Sequence, residues 1–292
     1  MKLIKFYFSK KVKLVYYASI LSIFVFIWSF LIEPSFLVQK DLKFQTWSGP
    51  PLKIAFFSDL HAGAPHINDT YINNLISRIN DMSPDLILIG GDLVINGVIG
   101  GTVMPIETLA ELLKNLKAKI GVYAVLGNHD WWNDGEKIAN TLEKVGILVL
   151  DNKARLIKLN QHFSFWLIGI GDDFTGHSDV DEALKQVTTQ EPKVLFMHDP
   201  ASIFKLKNKF SIALAGHLHG GQVFMPGYGA IITPGRAPAE WASGWTHFSN
   251  GSLFVSKGIG TSILPVRFNA LPEYVILDLK NKNFDFIVNK QE

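Results

Sequence analysis

The sequence predicts an α/β fold held behind one membrane-spanning helix. Three observations predict it. Short apolar runs alternate with stretches whose apolar residues recur at helical spacing, the signature of strands and helices in an α/β domain. Several runs end in a carboxylate, amide or imidazole, often after glycine. Polar side chains therefore collect at the carboxyl ends of strands, the edge where open α/β sheets place ligands. Ahead of these, residues 14–32 form an uncharged apolar stretch, close to the roughly 20 residues needed to cross a bilayer.

The amino end comes first. Lys2, Lys5, Lys10, Lys11 and Lys13 precede the apolar stretch with no acid among them, and Glu33-Pro34 closes it. A buried core helix of this length would show a polar face. A cleaved signal peptide would have a shorter apolar region and a small-x-small cleavage site, which does not follow here. An uncleaved anchor fits best. The lysines place the amino end in the cytoplasm and the main domain on the far side, and they also suit anionic lipid. Residues 1–33 are thus read as tail and anchor, 34–51 as a linker ending in Gly49-Pro50-Pro51, and 52–292 as one domain.

Within that domain a strand over 53–58 ends at Asp59-Leu60-His61. A helix over 71–81 follows from Ile72, Leu75, Ile76 and Ile79, and Pro84 bars its continuation. The apolar run 86–89 reads as a fully buried strand, and Gly90 and Gly91 let the chain turn sharply into Asp92. Leu109, Leu112, Leu113 and Leu116 set a helix over 106–117. A third strand, 120–126, ends in Gly127-Asn128-His129-Asp130. A helix over 136–145 stops at Gly146. The second half is richer in strand, over 147–150, 154–159, 163–170, 194–197, 212–215, 253–256, 274–279 and 285–288, with one helix over 181–187. Residues 220–250 are rich in Gly, Pro and Trp, and a loop of that length is usually functional or disordered.

Composition limits the chemistry. The chain has 292 residues, 48% of them hydrophobic, with a net charge of +2. This is enough for one large domain and leaves no basic footprint for nucleic acid. There is no cysteine, so disulfides and thiolate metal sites are excluded. Any metal must be held by nitrogen and oxygen, and nine histidines supply the nitrogen.

Five short motifs, each after an expected strand, carry such ligands: Asp59-x-His61, Gly91-Asp92, Gly127-Asn128-His129-Asp130, His198-Asp199 and Gly216-His217-Leu218-His219. In this order they resemble the calcineurin-like metallophosphoesterases, over roughly residues 52–279. The stretches 217–222, 256–260 and 265–268 are similar to a membrane-anchored bacterial branch of phosphodiesterases and enzymes cleaving UDP-2,3-diacylglucosamine in lipid A synthesis. The resemblance implies a four-layer α/β/β/α sandwich of two mixed sheets. It also implies two divalent metal ions, Asp59, His61, Asp92 and His219 holding one and Asp92, Asn128, His198 and His217 the other. Asp92 bridges them, using both oxygens. Imidazole, carboxylate and amide together suit manganese first, then iron or zinc. His129 contacts phosphate and protonates the leaving oxygen, or else orients Asp59. Asn128, His129 and Arg267 are the expected substrate contacts.

The expected reaction is hydrolysis of a phosphodiester or pyrophosphate, with a phosphorylated small molecule or lipid as partner, at the bacterial inner membrane as a single-pass protein. UDP-2,3-diacylglucosamine is the first substrate suggested. It is made on the cytoplasmic side, whereas the lysines place the domain outside. A broad-specificity envelope phosphodiesterase or phosphatase shares the same site. A non-catalytic scaffold of this fold would have lost ligands, and every expected ligand type is present. Other residues carry weaker signals. Asp130 is placed to support a ligand histidine or cap the following helix. His66 and Arg236 are placed to reach substrate or solvent. Trp131 and Trp132, and Trp241 and Trp245, are placed to form an apolar wall, a cap or ordinary packing. One departure stands out: many relatives carry an acid where this chain has Ile95, which leaves the shell around Asp92 to another residue, such as Asn96.

Overall fold

The computed structural model describes residues 10–280, so the strand expected over 285–288 lies outside the described residues. The chain opens with α1 (Lys10–Ile27), continued by a π turn, Trp28–Ile32, and a 3-10 turn, Glu33–Ser35. No residue of α1 is buried. Among the described residues, Lys10–Ser35 is the one helix long and apolar enough to cross a membrane.

The linker expectation for 34–51 is corrected. Residues 38–44 form β1 (Val38–Phe44), which pairs in parallel with β14 (Glu273–Leu279) along its whole length. The sequence conceals this strand because only Leu42 and Phe44 in it are buried. A solvated edge strand with two lysines reads like a connector.

The first half then alternates: β2 (Leu52–Phe57), α2 (Asp69–Asp81), β3 (Leu86–Gly90), α3 (Ile106–Leu113), β4 (Gly121–Val125), α4 (Asn128–Lys144) and β5 (Ile147–Val149). The Asn68 side chain caps α2 by accepting from the Tyr71 amide. The helix expected from residue 136 starts instead at Asn128, with a kink where Asp134 adopts extended backbone. Its first turn is made of polar site residues and so shows no apolar period. The second half supplies β6 (Lys153–Lys158), β7 (Ser164–Ile170), α5 (Val180–Lys185), β8 (Lys193–Met197), β9 (Ile212–Ala215), β10 (Phe224–Met225), β11 (Gly229–Ala230), β12 (Gly244–Phe248) and β13 (Gly251–Val255).

Among the described residues two six-stranded sheets result, ordered β1-β14-β2-β3-β4-β5 and β12-β13-β9-β8-β7-β6. Both are mixed. In the first, β14 runs antiparallel to β2 while the other neighbours are parallel. In the second, the outer pairs β12–β13 and β6–β7 are antiparallel around a parallel centre.

Strand alternation fills the layers. Ile54, Phe56, Leu86 and Leu88 enter the core between the sheets, where they meet Phe165, Phe196 and Leu214. Ala55, Phe57, Ile87 and Ile89 point the other way, against Leu75 of α2, Leu109 of α3 and Leu142 of α4. On the outer face of the second sheet, Ile168, Met197 and Ala213 are covered by Ala183 of α5 and by short 3-10 segments. The architecture is therefore helix, sheet, sheet, helix. The long span 220–250 carries the short strands β10, β11 and β12, with loops between them. Trp245 stacks on Phe44 and meets Phe254 edge-on, and Trp241 packs on Phe204 and Phe248. Both tryptophans serve packing rather than a cap.

Candidate metal centre

The five motifs follow β2, β3, β4, β8 and β9, so the site joins neighbouring strands of both sheets at one edge. The chain turns abruptly there. Asp59, His61, Asp92, His217 and His219 have φ of 54°, 48°, 53°, 70° and 54°. Left-handed backbone at non-glycine residues is costly and persists only where surroundings enforce it. Here the Asp59 amide donates to Gly91 O at 2.9 Å and the His61 amide to Asp92 O at 3.0 Å. The His217 amide donates to Asp59 Oδ1 at 2.9 Å. Close approach explains two glycines of the motifs: a Cβ on Gly127 would overlap the Asp92 carboxylate, and one on Gly216 would overlap that of Asp59.

Two buried groups of ligand-type side chains share Asp92. Asp59, His61, Asp92 and His219 form one, and Asp92, His198 and His217 the other, each with its ligand atoms within 4.8 Å of one another. Asn128 joins the second group, its Oδ1 lying 3.2 Å from His198 Nε2. His61 Nε2 faces His219 Nε2 at 3.1 Å, and His217 Nδ1 faces His198 Nε2 at 3.1 Å. Asp92 Oδ2 is 3.6 Å from His61 Nε2 and 3.2 Å from His198 Nε2, and so faces both groups. Asp92 Oδ1 accepts from the His129 amide at 2.8 Å, at the start of α4, which orients the carboxylate and leaves that oxygen a second lone pair.

The electrostatics fit a cation site. Burial pushes the imidazoles of His61 and His217 down to about 3, and His219 well below its ordinary value. These rings are neutral with lone pairs available. His198 Nδ1 donates to Gly90 O at 2.8 Å, which turns its Nε2 toward the ligands. Burial opposes ionisation of Asp92, but the neighbouring His198, by charge and hydrogen bond, outweighs it and holds the carboxyl well below its usual range. Burial likewise opposes a charge on His198, and the Asp92 carboxylate overrides it and raises that imidazole. Proton and cation are thus competing ways to balance the same carboxylate. Donor atoms 3.1–3.6 Å apart are spaced as two ligands roughly 2.0–2.2 Å from a shared ion would be.

Several neighbours resolve differently from the sequence expectations. Arg267 is fully buried and cannot meet substrate. Its guanidinium donates to the carbonyls of Gly260, Ala270 and Lys257. Asp130 makes no hydrogen bond to a histidine among the described residues. It accepts from the amides of Leu93, Val94 and Gly127 and so pins the turn after Asp92 to the start of α4. That carboxylate does the work left open by Ile95, which is buried in the core, while Asn96 is exposed. His66 bonds Phe30 O at 2.9 Å. Arg236 is ion-paired with Asp173. Trp131 stacks on His177, whereas Trp132 lies edge-on to His129 at 4.9 Å.

A cavity of about 500 Å³ opens above Asp92, Asn128, His217 and His219, with His129 in its wall. Most of its lining is apolar, including Trp132, Phe174, Ile232, Ile263 and Leu264. Two residues here escaped sequence reasoning. Ser262 Oγ lies 3.3 Å from His129 Nε2, and Phe174 packs on His217 and Trp132. Neither sits in a motif. Gln222, by contrast, closes a motif already noted and clamps Ser262 through both backbone groups.

A two-sheet α/β sandwich with an Asp/His/Asn cluster at the strand ends defines a metal-dependent phosphoesterase. The chain belongs to the calcineurin-like phosphoesterase family, which matches residues 52–221. It is similar to the uncharacterised metallophosphoesterase YkuE of Bacillus subtilis, 30% identical over 79% of this chain and 80% of the relative. It is similar also to phosphodiesterase YaeI of Escherichia coli, 29% identical over 83% of this chain and 87% of the relative. A Danio rerio transmembrane protein with a metallophosphoesterase domain is 30% identical over 59% of this chain and 41% of its own length.

Proposed function

We propose that the protein is a membrane-anchored phosphodiesterase with two divalent metal ions and an amphiphilic substrate. The observation that carries this is the pair of ligand groups sharing Asp92 Oδ2, set beneath an apolar cavity. Asp59, His61, Asp92 and His219 would hold one ion, and Asp92, Asn128, His198 and His217 the other, with manganese first and iron or zinc next. When bound, the ions supply the charge that makes water nucleophilic at neutral pH and stabilises both oxygens of an in-line displacement.

The chain's own residues do the rest. His129 stands half-buried at the mouth, and burial lowers its pKa. It therefore acts as a neutral donor whose ring N–H holds a phosphoryl or leaving oxygen, with Ser262 fixing the ring. Asn128 adds a neutral oxygen, which limits repulsion of an anionic substrate. Trp132 and Phe174 offer an apolar wall to an acyl or aryl leaving group. The name of YaeI supports the diester over the monoester. UDP-2,3-diacylglucosamine is the first lipid-linked member of that class to try. α1 is read as crossing the inner membrane, with the domain on the non-cytoplasmic side.

The test is hydrolysis of bis-p-nitrophenyl phosphate against p-nitrophenyl phosphate, after chelation and again with manganese restored. Metal-dependent turnover, faster on the diester, is expected. A folded protein that turns over neither compound with manganese, iron or zinc restored in turn would contradict the proposal.

A further inference from the structure

We infer that the rim of the cavity is a membrane-docking surface: the loops framing the metal centre insert apolar side chains into the bilayer that α1 enters, so the site opens toward lipid. This deepens the reading above by naming the surface from which substrate is taken. It rests on that reading's placement of α1 in the bilayer and not on its phosphodiesterase activity.

The rim is built from three segments, residues 93–106, 220–235 and 258–266. None carries a charged side chain, in a chain that is 18% charged. Their tips are apolar and open to solvent: Ile99 is 64% exposed, Tyr228 80%, Ile232 75% and Ile263 74%. Contiguous apolar exposure of this kind marks an interaction surface. The patch is continuous, since the Ile99 amide donates to Ile263 O at 3.2 Å, and Ile232 and Ile263 line one cavity. Ile263 is also held at φ 64°, a genuine outlier for a β-branched residue. The chain therefore holds that side chain outward in a strained conformation.

The occupant follows from what the rim is attached to. The Arg267 amide donates to Ser29 O at 2.9 Å, at the end of the apolar helical stretch. The neighbouring Phe268 O accepts from the Phe224 amide at 2.9 Å, which ties in the β10–β11 hairpin that carries Tyr228. The Ala270 amide donates to Glu33 Oε1 at 2.7 Å. The foot of the anchor and the rim are one hydrogen-bonded unit, so the rim sits where the helix leaves the bilayer. An uncharged apolar surface with a tyrosine at that level matches the membrane interface.

The full chain has no native cysteine, which makes single-site labelling direct. Tyr228→Cys and Ile99→Cys lie on the rim but outside the cavity lining. Lys117→Cys lies in the turn before β4, at the sheet edge away from the site. Each would carry an environment-sensitive fluorophore in vesicles of phosphatidylethanolamine and phosphatidylglycerol containing nitroxide-labelled lipid. Quenching severalfold stronger at 228 and 99 than at 117 is expected. Equal quenching at all three would overturn the inference. Blue-shifted rim labels without lipid quenching, in a protein of dimeric mass in detergent, would overturn it in favour of a second copy of the chain. The readout contains no turnover. Rim quenching in a sample that fails to hydrolyse bis-p-nitrophenyl phosphate would support docking while counting against the phosphodiesterase.

Discussion

Asp92 divides its two oxygens between two tasks. Oδ2 faces His61 and His198, while Oδ1 is tied to the first turn of α4 through the His129 amide. The same bond places His129 beside the proposed ions without making it a ligand. His129→Ala should keep its metal content and lose turnover by about 10²–10³-fold, the usual cost of removing one hydrogen-bond donor from a developing negative charge. Metal analysis beside a rate measurement checks this, and lost metal would move His129 into the ligand set. Asp130 makes a prediction of another kind. Removing its carboxylate in Asp130→Ala leaves three amides of a buried turn without their acceptor, at a cost of about 1–3 kcal/mol for each one left unpaired. A clearly lowered thermal-unfolding midpoint is expected, and an unchanged one would show that the turn holds itself.

At the scale of elements, legibility followed chemistry and periodicity. β2, β3, β4, β8 and β9 were readable because each is an apolar run ending in a polar motif, and α2 because its buried face repeats at helical spacing. β1 was not, because an edge strand with two buried residues carries too little pattern. The start of α4 was hidden because its first turn spends its side chains on the site. Arg267 misled in the opposite way: an arginine near a phosphate motif looks like a ligand for anions, and only three-dimensional structure shows its fork filled by backbone carbonyls.

The turn after β5 carries a pH-dependent element. Burial, with the Asp172 charge adding to it, pushes the Asp151 carboxyl up to about 7 from an ordinary value of 3.8. Its Oδ1 accepts from the Leu126 amide, and its Oδ2 has no hydrogen-bond partner among the described residues. The folded state therefore holds a proton that the unfolded chain has lost between these values. Its stabilising contribution is full below pH 3.8 and falls as pH rises to about 7. Asp151→Asn should flatten that fall in a series of unfolding midpoints from pH 5 to 8. An unaltered slope would assign the pH dependence to other carboxylates.

For the whole molecule, α1 and the α/β domain are not beads on a string. The segment expected to link them is a sheet strand, and the turns that follow α1 bond the loops beside the site. The domain should therefore keep a fixed attitude to the membrane. A membrane-impermeant thiol reagent should label Lys117→Cys in intact spheroplasts, as the amino-terminal lysines predict. Labelling only after lysis would place the domain inside and favour a substrate made there.

The account rests on one carboxylate joining two metal shells, and metal stoichiometry tests that most directly. Wild-type protein equilibrated with manganese and freed of excess should hold two ions per chain, and Asp92→Asn should lose or greatly weaken both, together with its activity. Loss of only one ion in Asp92→Asn, with the other held as tightly as before, would contradict the bridge.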